Sequence, residues 1–190
     1  EARYWRALVS VFLLMDNVPR GTATLTVLDQ IEPLPFRDAR RLAQLLGYIG
    51  MPEPAAAVLK DALGQATDPI TYKDRMLLAT LLILAREHQD AVLALETLLT
   101  ESEDGRAGIL LGQLYLQREQ YDNARTALLK ALDAFGEDAP PETYYLLAVV
   151  EINLENPQAA GAALNSIEDD ADYAARVKRL RMSIAATPNP

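Results

Sequence analysis

The sequence contains few residues of the types that carry out catalysis. Its only histidine, His88, lies in the polar segment 86–90, and the chain has no cysteine. A lone histidine in such a segment is typically solvated and without a catalytic partner. Asp169, Asp170 and Asp172 have the carboxylate density of a site for a hard cation, but the glycine and distal glutamate of a calcium loop are missing. We therefore expect these carboxylates to cap the next helix, and we predict no enzyme, no cofactor and no metal site.

The charge of the chain indicates which partners it can bind. A net charge of −9 argues against nucleic acid, whose recognition needs a basic surface. The charge is uneven along the chain: it is +1 over residues 1–60, −4 over 61–132 and −6 over 133–190. An acidic partner therefore meets the least repulsion in the N-terminal third. No run of eighteen uncharged apolar residues occurs, so no membrane span is predicted.

A leucine followed by a small or apolar residue recurs five times, and a second small residue always follows the first by twelve positions. We number each copy so that this leucine is frame position 7 and the two small residues are frame positions 8 and 20. Successive copies are 34, 36, 33 and 36 residues apart. Self-similarity at this period predicts an all-α solenoid of stacked helix pairs, with position 8 on helix A and position 20 on helix B. The position 8 and 20 pairs are Val9 and Gly21, Ala43 and Ala55, Ala79 and Ala91, Gly112 and Ala124, and Ala148 and Ala160.

Small residues at these two positions allow the backbones of two antiparallel helices to approach closely, and the flanking leucines fill the rest of the seam. Proline, with glycine in the second copy, marks the turns from helix A to helix B in the first, second and fifth copies. The expected A helices cover about 2–15, 37–49, 71–86, 105–118 and 141–154. The expected B helices cover about 20–31, 53–65, 89–100, 122–134 and 157–167. A last amphipathic helix over about 171–185 completes the eleven.

The fourth copy reads Leu111-Gly112-x-x-Tyr115 followed by Ala124, Leu128 and Ala131, and the first copy contains Trp5-x-x-Leu8. These residues resemble the tetratricopeptide repeat pattern, and the resemblance covers about residues 2–170. It implies a right-handed superhelix of five repeats over about 2–35, 36–71, 72–104, 105–140 and 141–170. A capping helix at 171–186 and a tail at 187–190 follow.

The resemblance also implies where a partner binds. In this family a concave groove is lined by helix A residues, which here means frame positions 2, 5, 6, 9, 12 and 13. Cations concentrate in the first four copies of this set, although the protein is acidic as a whole. A protein or peptide partner with acidic groups is therefore expected. The predicted groove residues are Arg6, Arg37, Arg40, Arg41, Gln44, Tyr48, Lys73, Met76, Arg106, Ile109, Gln113 and Tyr145.

A different interpretation of the same arginines stays open. They could pair with acidic residues at the junctions between repeats, such as Glu32, Asp38 and Asp74. In that case their charges would stabilise the stack and would not be available to a ligand. The orientation of the arginine side chains distinguishes the two interpretations.

Two functions from different classes agree with this sequence. The first is a non-enzymatic scaffold that binds a peptide segment or partner protein in the groove. The second is a structural or self-assembling segment of a larger bacterial envelope protein. The scaffold is our main prediction, and the self-assembling segment is the alternative. The chain starts without methionine, and we expect Trp5 and Phe12 to lie uncovered, with further repeats before Glu1. An exposed apolar patch at this end would favour the alternative, whereas a free cationic groove would favour the scaffold. Self-association would then proceed through the N-terminal repeat.

Two stretches, 4–8 and 42–59, also resemble repeat proteins of the Gram-negative envelope. The resemblance is confined to degenerate repeat positions. It favours the bacterial periplasm over the cytoplasm and leaves the compartment and the partner open.

Overall fold

A computed structural model describes residues 2–67, 69–101 and 104–186, and within these ranges the protein is helical and contains no strand. The expectation of eleven α-helices in an all-α fold is confirmed for this part of the chain. A single 3-10 turn at Gly136–Asp138 joins them. The helices are α1 Ala2–Leu14, α2 Val18–Ile31, α3 Phe36–Tyr48, α4 Pro52–Gln65, α5 Tyr72–Leu84, α6 His88–Glu101, α7 Arg106–Gln117, α8 Tyr121–Phe135, α9 Pro141–Asn153, α10 Pro157–Asn165 and α11 Ala174–Ala186.

The chain forms two compact units, Glu1–Ala94 and Leu95–Pro190. In the first unit α1 packs on α2 and α3 packs on α4, and the two pairs meet through α2 with α3 and through α4 with α5. In the second unit α7 packs on α8, α9 packs on α10, and α11 packs on both α9 and α10. In four of the five copies, therefore, an A helix packs on the B helix that follows it, in the pairs α1–α2, α3–α4, α7–α8 and α9–α10. The odd-numbered helices α1 to α9 are the A helices of the sequence frame.

The seam between paired helices is built as the sequence predicts. All ten residues at frame positions 8 and 20 are buried, and the eight of the last four copies include seven alanines with no exposed surface. The fit is tightest in the α7–α8 pair, where a Cβ atom added to Gly112 would lie 2.6 Å from Leu128 Cγ. Small size at position 8 or 20 is therefore a steric requirement of the fold.

Every A helix ends in the same backbone motif, which the sequence analysis did not predict. The residue at frame position 15 has a positive φ in all five copies, at 57° for Asp16, 79° for Gly50, 60° for Arg86, and 57° for both Glu119 and Glu155. The next backbone N–H then donates to the carbonyl five residues earlier, as from Gln120 to Tyr115 at 2.9 Å. This arrangement satisfies carbonyl groups that a helix C-terminus leaves unpaired. It also turns the chain directly into the B helix.

The last helix begins later than expected, at Ala174, because residues 171–173 form a turn that bonds to the Asp170 side chain. The Oδ1 atom of Asp170 accepts the backbone N–H of Asp172 at 2.9 Å and of Tyr173 at 3.2 Å. Asp170 therefore caps the turn that leads into the last helix, and capping by Asp169 and Asp172 stays a prediction. The expected tail at 187–190 lies outside the described residues. None of the described helices is both long enough and apolar enough to cross a membrane.

Substitution of Gly112 by leucine tests the close approach of the two backbones. We expect the Gly112→Leu variant to lose about 1–3 kcal/mol of unfolding free energy, because the new side chain must displace Leu128 in a closely packed seam. Urea denaturation followed by circular dichroism measures the loss.

The matched control is Gly161→Leu, in the helix α10 of the same unit. A Cβ atom at Gly161 meets no other atom within 4 Å, so the same substitution should not overpack the protein. Equal stability of the Gly112→Leu variant and the wild type would contradict the proposed role of the small residue.

Candidate functional site: the A-helix face

In α1, α3 and α5 the residues at frame positions 2, 6, 9 and 13 form a stripe that is exposed, apart from Leu77, which is half-buried. These positions repeat every three or four residues and therefore lie on one side of a helix. On α3 the stripe consists of Arg37, Arg41, Gln44 and Tyr48, and all four side chains are exposed. We call the stripes of α1, α3 and α5 together the A-helix face of the first unit. Most predicted groove residues of this unit lie on it.

Arg6 and Arg40 lie at frame position 5 and do not belong to this face. The Nε atom of Arg6, on α1, donates to Asp38 Oδ2 of α3 at 2.9 Å, and its Nη2 atom donates to Glu32 at 3.2 Å. Two of the arginines predicted for the groove thus join one A helix to the next. For them, the alternative interpretation of pairing at the repeat junctions is correct.

The pair between Arg40 and Asp74 repeats this arrangement one copy later. Arg40 Nε lies 2.9 Å from Asp74 Oδ1, a distance typical of an ion pair although the alignment is not that of a hydrogen bond. The Asp74 side chain is 2% exposed, and its Oδ2 atom accepts the backbone N–H of Thr71 at 3.0 Å and the hydroxyl of Thr71 at 2.6 Å. This capping box fixes the carboxylate at the start of α5. The charge of Arg40 therefore neutralises a buried carboxylate.

Three of the cations predicted for the groove lie on this face and remain available, and exposed Arg3 of α1 is a fourth cation of the face. Arg37, Arg41 and Lys73 are exposed, and none of the carboxylates in the described ranges forms an ion pair with them. Arg37 and Arg41 are one helical turn apart on α3, and Lys73 occupies the position of Arg37 on α5. Because Arg40 and Asp74 connect α3 to α5, these three cations lie on neighbouring helices of one surface. Met76, at position 5 of α5, is half-buried and takes the place of Arg40 in the next copy.

The same face also has an apolar feature that was not predicted from the sequence. The residues at frame position 13 of α1, α3 and α5 are Leu14, Tyr48 and Leu84, and they are 86%, 79% and 58% exposed. Only Tyr48 was among the predicted residues. Comparing position 13 across the first three copies would have revealed the series, because all three residues are large and apolar at a position that faces solvent.

The predicted groove residues of the second unit are largely engaged with other residues. Arg106 forms a bidentate ion pair with Asp104, with Nε 2.9 Å from Oδ1. Ile109 is only 8% exposed and belongs to the core. Gln113 donates to Glu142 Oε1 at 2.8 Å. The prediction of a groove surface is wrong for Ile109, because frame position 5 faces the junction between helix pairs.

Tyr145 also lies at position 5 and packs against the last helix. Its ring centroid is 5.7 Å from that of Tyr173, and the guanidinium of Arg176 lies 5.8 Å and 5.1 Å from the centroids of Tyr145 and Tyr173. Stacked rings and a cation over their faces stabilise such a junction. Position 5 therefore holds an ion pair in α1 and α3, and an aromatic contact in α9.

A pocket of about 310 Å³ opens in the second unit among α6, α7 and α8, away from the predicted groove residues. Tyr115 contributes to its wall, and the Tyr115 hydroxyl donates to Glu96 Oε1 at 2.7 Å. Burial and the hydrogen bond to Glu96 raise the pKa of Tyr115 to about 12. The hydroxyl consequently stays protonated at neutral pH and keeps Glu96 in place.

No group of three or more histidine, cysteine, aspartate or glutamate side chains among the described residues could hold a metal ion. His88 is the first residue of α6 and is half-buried, so it is less solvated than we expected from its polar neighbours. The most distinctive feature of the first unit is its A-helix face.

The family comparison supports the repeat frame. Residues 107–137, which contain α7 and most of α8, match the family model described as a tetratricopeptide repeat. The comparison with curated proteins gives no significant match.

The chain is also similar to solved structures over nearly its whole length. A MamA fragment from Desulfovibrio magneticus has 19% identity and a TM-score of 0.67, with 96% of each chain covered. A tetratricopeptide repeat protein from Parabacteroides merdae has 19% identity and a TM-score of 0.74, with 96% of this chain and 72% of that chain covered. YrrB, described as a tetratricopeptide-repeat protein with an unusual peptide-binding site, has 15% identity and a TM-score of 0.71, with 94% and 92% covered. Residues 107–137 thus match a tetratricopeptide repeat, and the chain has the fold of solved tetratricopeptide-repeat structures over nearly its whole length.

Proposed function

We propose that the chain is a non-enzymatic protein-interaction scaffold whose A-helix face in the first unit binds an acidic segment of a partner protein. Tetratricopeptide repeats are in general non-catalytic scaffolds, which supports the first part of the proposal. The peptide-binding site for which YrrB is described supports the choice of a peptide segment. The acidic character of the segment is argued from the residues of this chain.

The observation that carries the proposal is the contrast between paired and unpaired cations. Arg6 and Arg40 neutralise carboxylates at the junctions, whereas Arg37, Arg41 and Lys73 are exposed beside them without such partners among the described residues. The stack does not need these three charges for its own stability. A carboxylate-rich ligand would complement them, and arginine can bind a carboxylate through two parallel hydrogen bonds.

The charge of each unit favours the same surface. The first unit carries ten basic and eleven acidic residues, a net charge of −1, whereas the second carries eight and sixteen, a net charge of −8. The potential of the second unit repels an acidic segment, and the local cations of the first unit attract one. Since exposed charges are screened beyond about 10 Å at 0.1 M salt, this preference should act mainly during approach and should weaken with ionic strength.

Reversal of the three charges tests the proposal. We expect the Arg37→Glu, Arg41→Glu, Lys73→Glu variant to lose the proteins that the wild type captures from extracts of the native host. We also expect the wild type to capture less of these proteins as the salt concentration is raised. Exposed charges act chiefly on the association rate, and salt screens them. Quantitative mass spectrometry of the captured proteins measures both effects.

The matched control reverses three cations elsewhere, in Lys130→Glu, Lys178→Glu, Arg179→Glu. It changes the net charge by the same amount and leaves the A-helix face of the first unit intact. Capture of the same proteins in the same amounts by the face variant and by the wild type would contradict the proposal.

Self-association through α1 is a second candidate function, and a specific observation favours it. Frame positions 3, 7, 10 and 14 of α3 and α5 include Asp38, Asp74, Leu42 and Leu81, which face the preceding helix pair or the core. In α1 the same positions hold exposed apolar side chains. They are Tyr4 at 70%, Leu8 at 40%, Val11 at 48% and Met15 at 69% exposure.

This stripe, and not the pair Trp5 and Phe12, is the uncovered stacking surface of α1. Trp5 and Phe12 are half-buried, which corrects the expectation from the sequence. Repeat proteins cover such stacking faces by packing another helix on them. A second copy of the chain would supply that helix.

Replacement of Leu8 by aspartate tests self-association. Because Leu8 lies on the surface in the centre of the stripe, the substitution should preserve the fold and place a charge in the interface. We expect the wild type to sediment faster as its concentration rises and the variant to remain monomeric. A wild type that is monomeric over the whole concentration range would contradict this second function.

A further inference from the structure

The pocket of about 310 Å³ in the second unit contains none of the predicted groove residues, and we call it the B-helix pocket. Its floor is apolar, with Leu99 of α6, Leu111 of α7 and Ala127 of α8. Its rim consists of exposed polar side chains from the two B helices α6 and α8. They are Glu96, Thr100, Asn123, Thr126 and Lys130. An apolar floor with a few polar groups around it is typical of a small-molecule site.

Glu96 gives the pocket a negative charge at a fixed place. Its Oε1 atom accepts a hydrogen bond from the Tyr115 hydroxyl at 2.7 Å. Tyr115 is 9% exposed, so a nearly buried side chain in the wall of the pocket holds the carboxylate. Within the ranges that the structure describes, Glu96 forms no ion pair and no second hydrogen bond. The carboxylate can therefore still pair with a cationic group of a ligand.

Lys130 gives the pocket a positive charge toward its other end. The start of α7 lies against the end of α8, where a Cβ atom added to Gly105 would be 2.5 Å from Phe135 Cδ2. The two helices are therefore antiparallel, and Tyr115 lies toward the start of α8 and Asn123. Lys130 follows Asn123 by seven residues, or about 10.5 Å of helix. None of the carboxylates in the described part of the chain pairs with Lys130.

The next copy of the repeat does not reproduce these groups. The residue equivalent to Glu96 is Leu129, which is 49% exposed. The residue equivalent to Tyr115 is Glu151, which is buried and accepts a hydrogen bond from Asn156 Nδ2 at 3.1 Å. The hydrogen-bonded carboxylate of the pocket is thus not required by the repeat frame.

The size of the pocket limits the ligand. At about 30 Å³ for each water molecule of the liquid, the pocket has the volume of about ten water molecules and suits a ligand of about ten to fifteen non-hydrogen atoms. Leu111 and Tyr115 are four residues apart on α7, which corresponds to about 6 Å of helix. An extended dipeptide is about 7 Å long. A dipeptide with one apolar side chain therefore agrees with the pocket in volume and in length.

We infer that the B-helix pocket binds a small zwitterion of the size and class of an apolar dipeptide. The ammonium group of the ligand pairs with Glu96, and its carboxylate pairs with Lys130. The apolar side chain of the ligand covers Leu111 and Ala127. The peptide group between the two charges exchanges hydrogen bonds with the Asn123 amide, which has no partner among the described residues. This site goes beyond the proposed function and does not depend on it.

A ligand with a single charge fits the pocket less well. An apolar amine would leave Lys130 unpaired beside it, and an apolar carboxylate would leave Glu96 unpaired. Covering a charge without neutralising it removes water from that charge and costs free energy. A zwitterion neutralises both charges of the pocket at once, so it should bind more tightly than either singly charged relative.

Blocked peptides test the need for both charges. Isothermal titration calorimetry of the full chain compares alanyl-leucine and leucyl-alanine with their N-acetylated forms and their C-terminal amides. We expect at least one of the two free dipeptides to bind with a Kd below about 1 mM, and each blocked form of it to bind at least about tenfold more weakly.

Two protein variants locate the site. Glu96→Gln should weaken the free dipeptide about tenfold and leave the affinity for the acetylated form unchanged, because acetylation has already removed the charge that pairs with Glu96. By the same argument, Lys130→Gln should weaken the free dipeptide about tenfold and leave the affinity for the amide unchanged. Both side chains are exposed, so we expect the circular dichroism spectrum to be that of the wild type. The matched controls are Glu137→Gln and Lys178→Gln, which neutralise exposed charges outside the pocket and should bind as the wild type does.

Three outcomes would overturn the inference. The first is that neither free dipeptide binds at concentrations up to about 10 mM. The second is equal affinity for the free and the blocked forms, which would show that the charges have no part in binding. The third is undiminished binding by both Glu96→Gln and Lys130→Gln, which would place the dipeptide elsewhere on the molecule. None of these outcomes affects the proposed function, because capture of proteins by the A-helix face is measured separately and a ligand of this size is not a protein.

Discussion

The close approach of two helix backbones at frame positions 8 and 20 is the constraint on which the rest of this structure depends. Where the seam is tightest, Gly112 leaves no room for a Cβ atom beside Leu128, and all the corresponding residues of the other copies are buried. Helices held this close bury a continuous line of leucines between them and leave their outer stripes to solvent. The seam therefore decides in advance which positions of helix A are free for function.

A second constraint comes from the stacking of one helix pair on the next. Frame position 5 faces position 3 of the following A helix, so it must suit a half-buried or buried neighbour. The chain meets this requirement in several ways: with the ion pair of Arg6 and Asp38, with that of Arg40 and buried Asp74, and with the rings of Tyr145 and Tyr173. Breaking the Arg40–Asp74 pair would leave a buried carboxylate uncompensated, which is costly. A cation at position 5 is thus bound to the stack and cannot serve a ligand at the same time.

The difference between steric limits and side-chain orientation explains which features of the structure could be predicted from the sequence. The period, the seam and the helix bounds could be predicted because steric exclusion at positions 8 and 20 limits the residue type directly. The orientation of arginines could not, because a guanidinium at position 2 and one at position 5 look alike in sequence while one is exposed and the other reaches a carboxylate about 30 residues away. The backbone motif at position 15 was also hidden. Glycine is the residue type that indicates a positive φ, and among the five copies only Gly50 is a glycine. The other four residues with a positive φ at this position are Asp16, Arg86, Glu119 and Glu155.

The two units differ in the side chains that their A helices present on the outer stripe and in the partners of these side chains. In the second unit, polar partners on the chain satisfy the face, as Asp104 does for Arg106 and Gln113 for Glu142. In the first unit the face keeps exposed cations at one end of its helices and exposed large apolar side chains at the other. Burial of apolar surface and neutralisation of charge stabilise a fold. The exposed cations and the exposed apolar side chains of this face therefore do not stabilise the folded chain. Both gain free energy when a partner of complementary charge and shape covers them, so competence to bind a protein partner on the A-helix face resides in the unit whose outer stripe is left unsatisfied by its own chain.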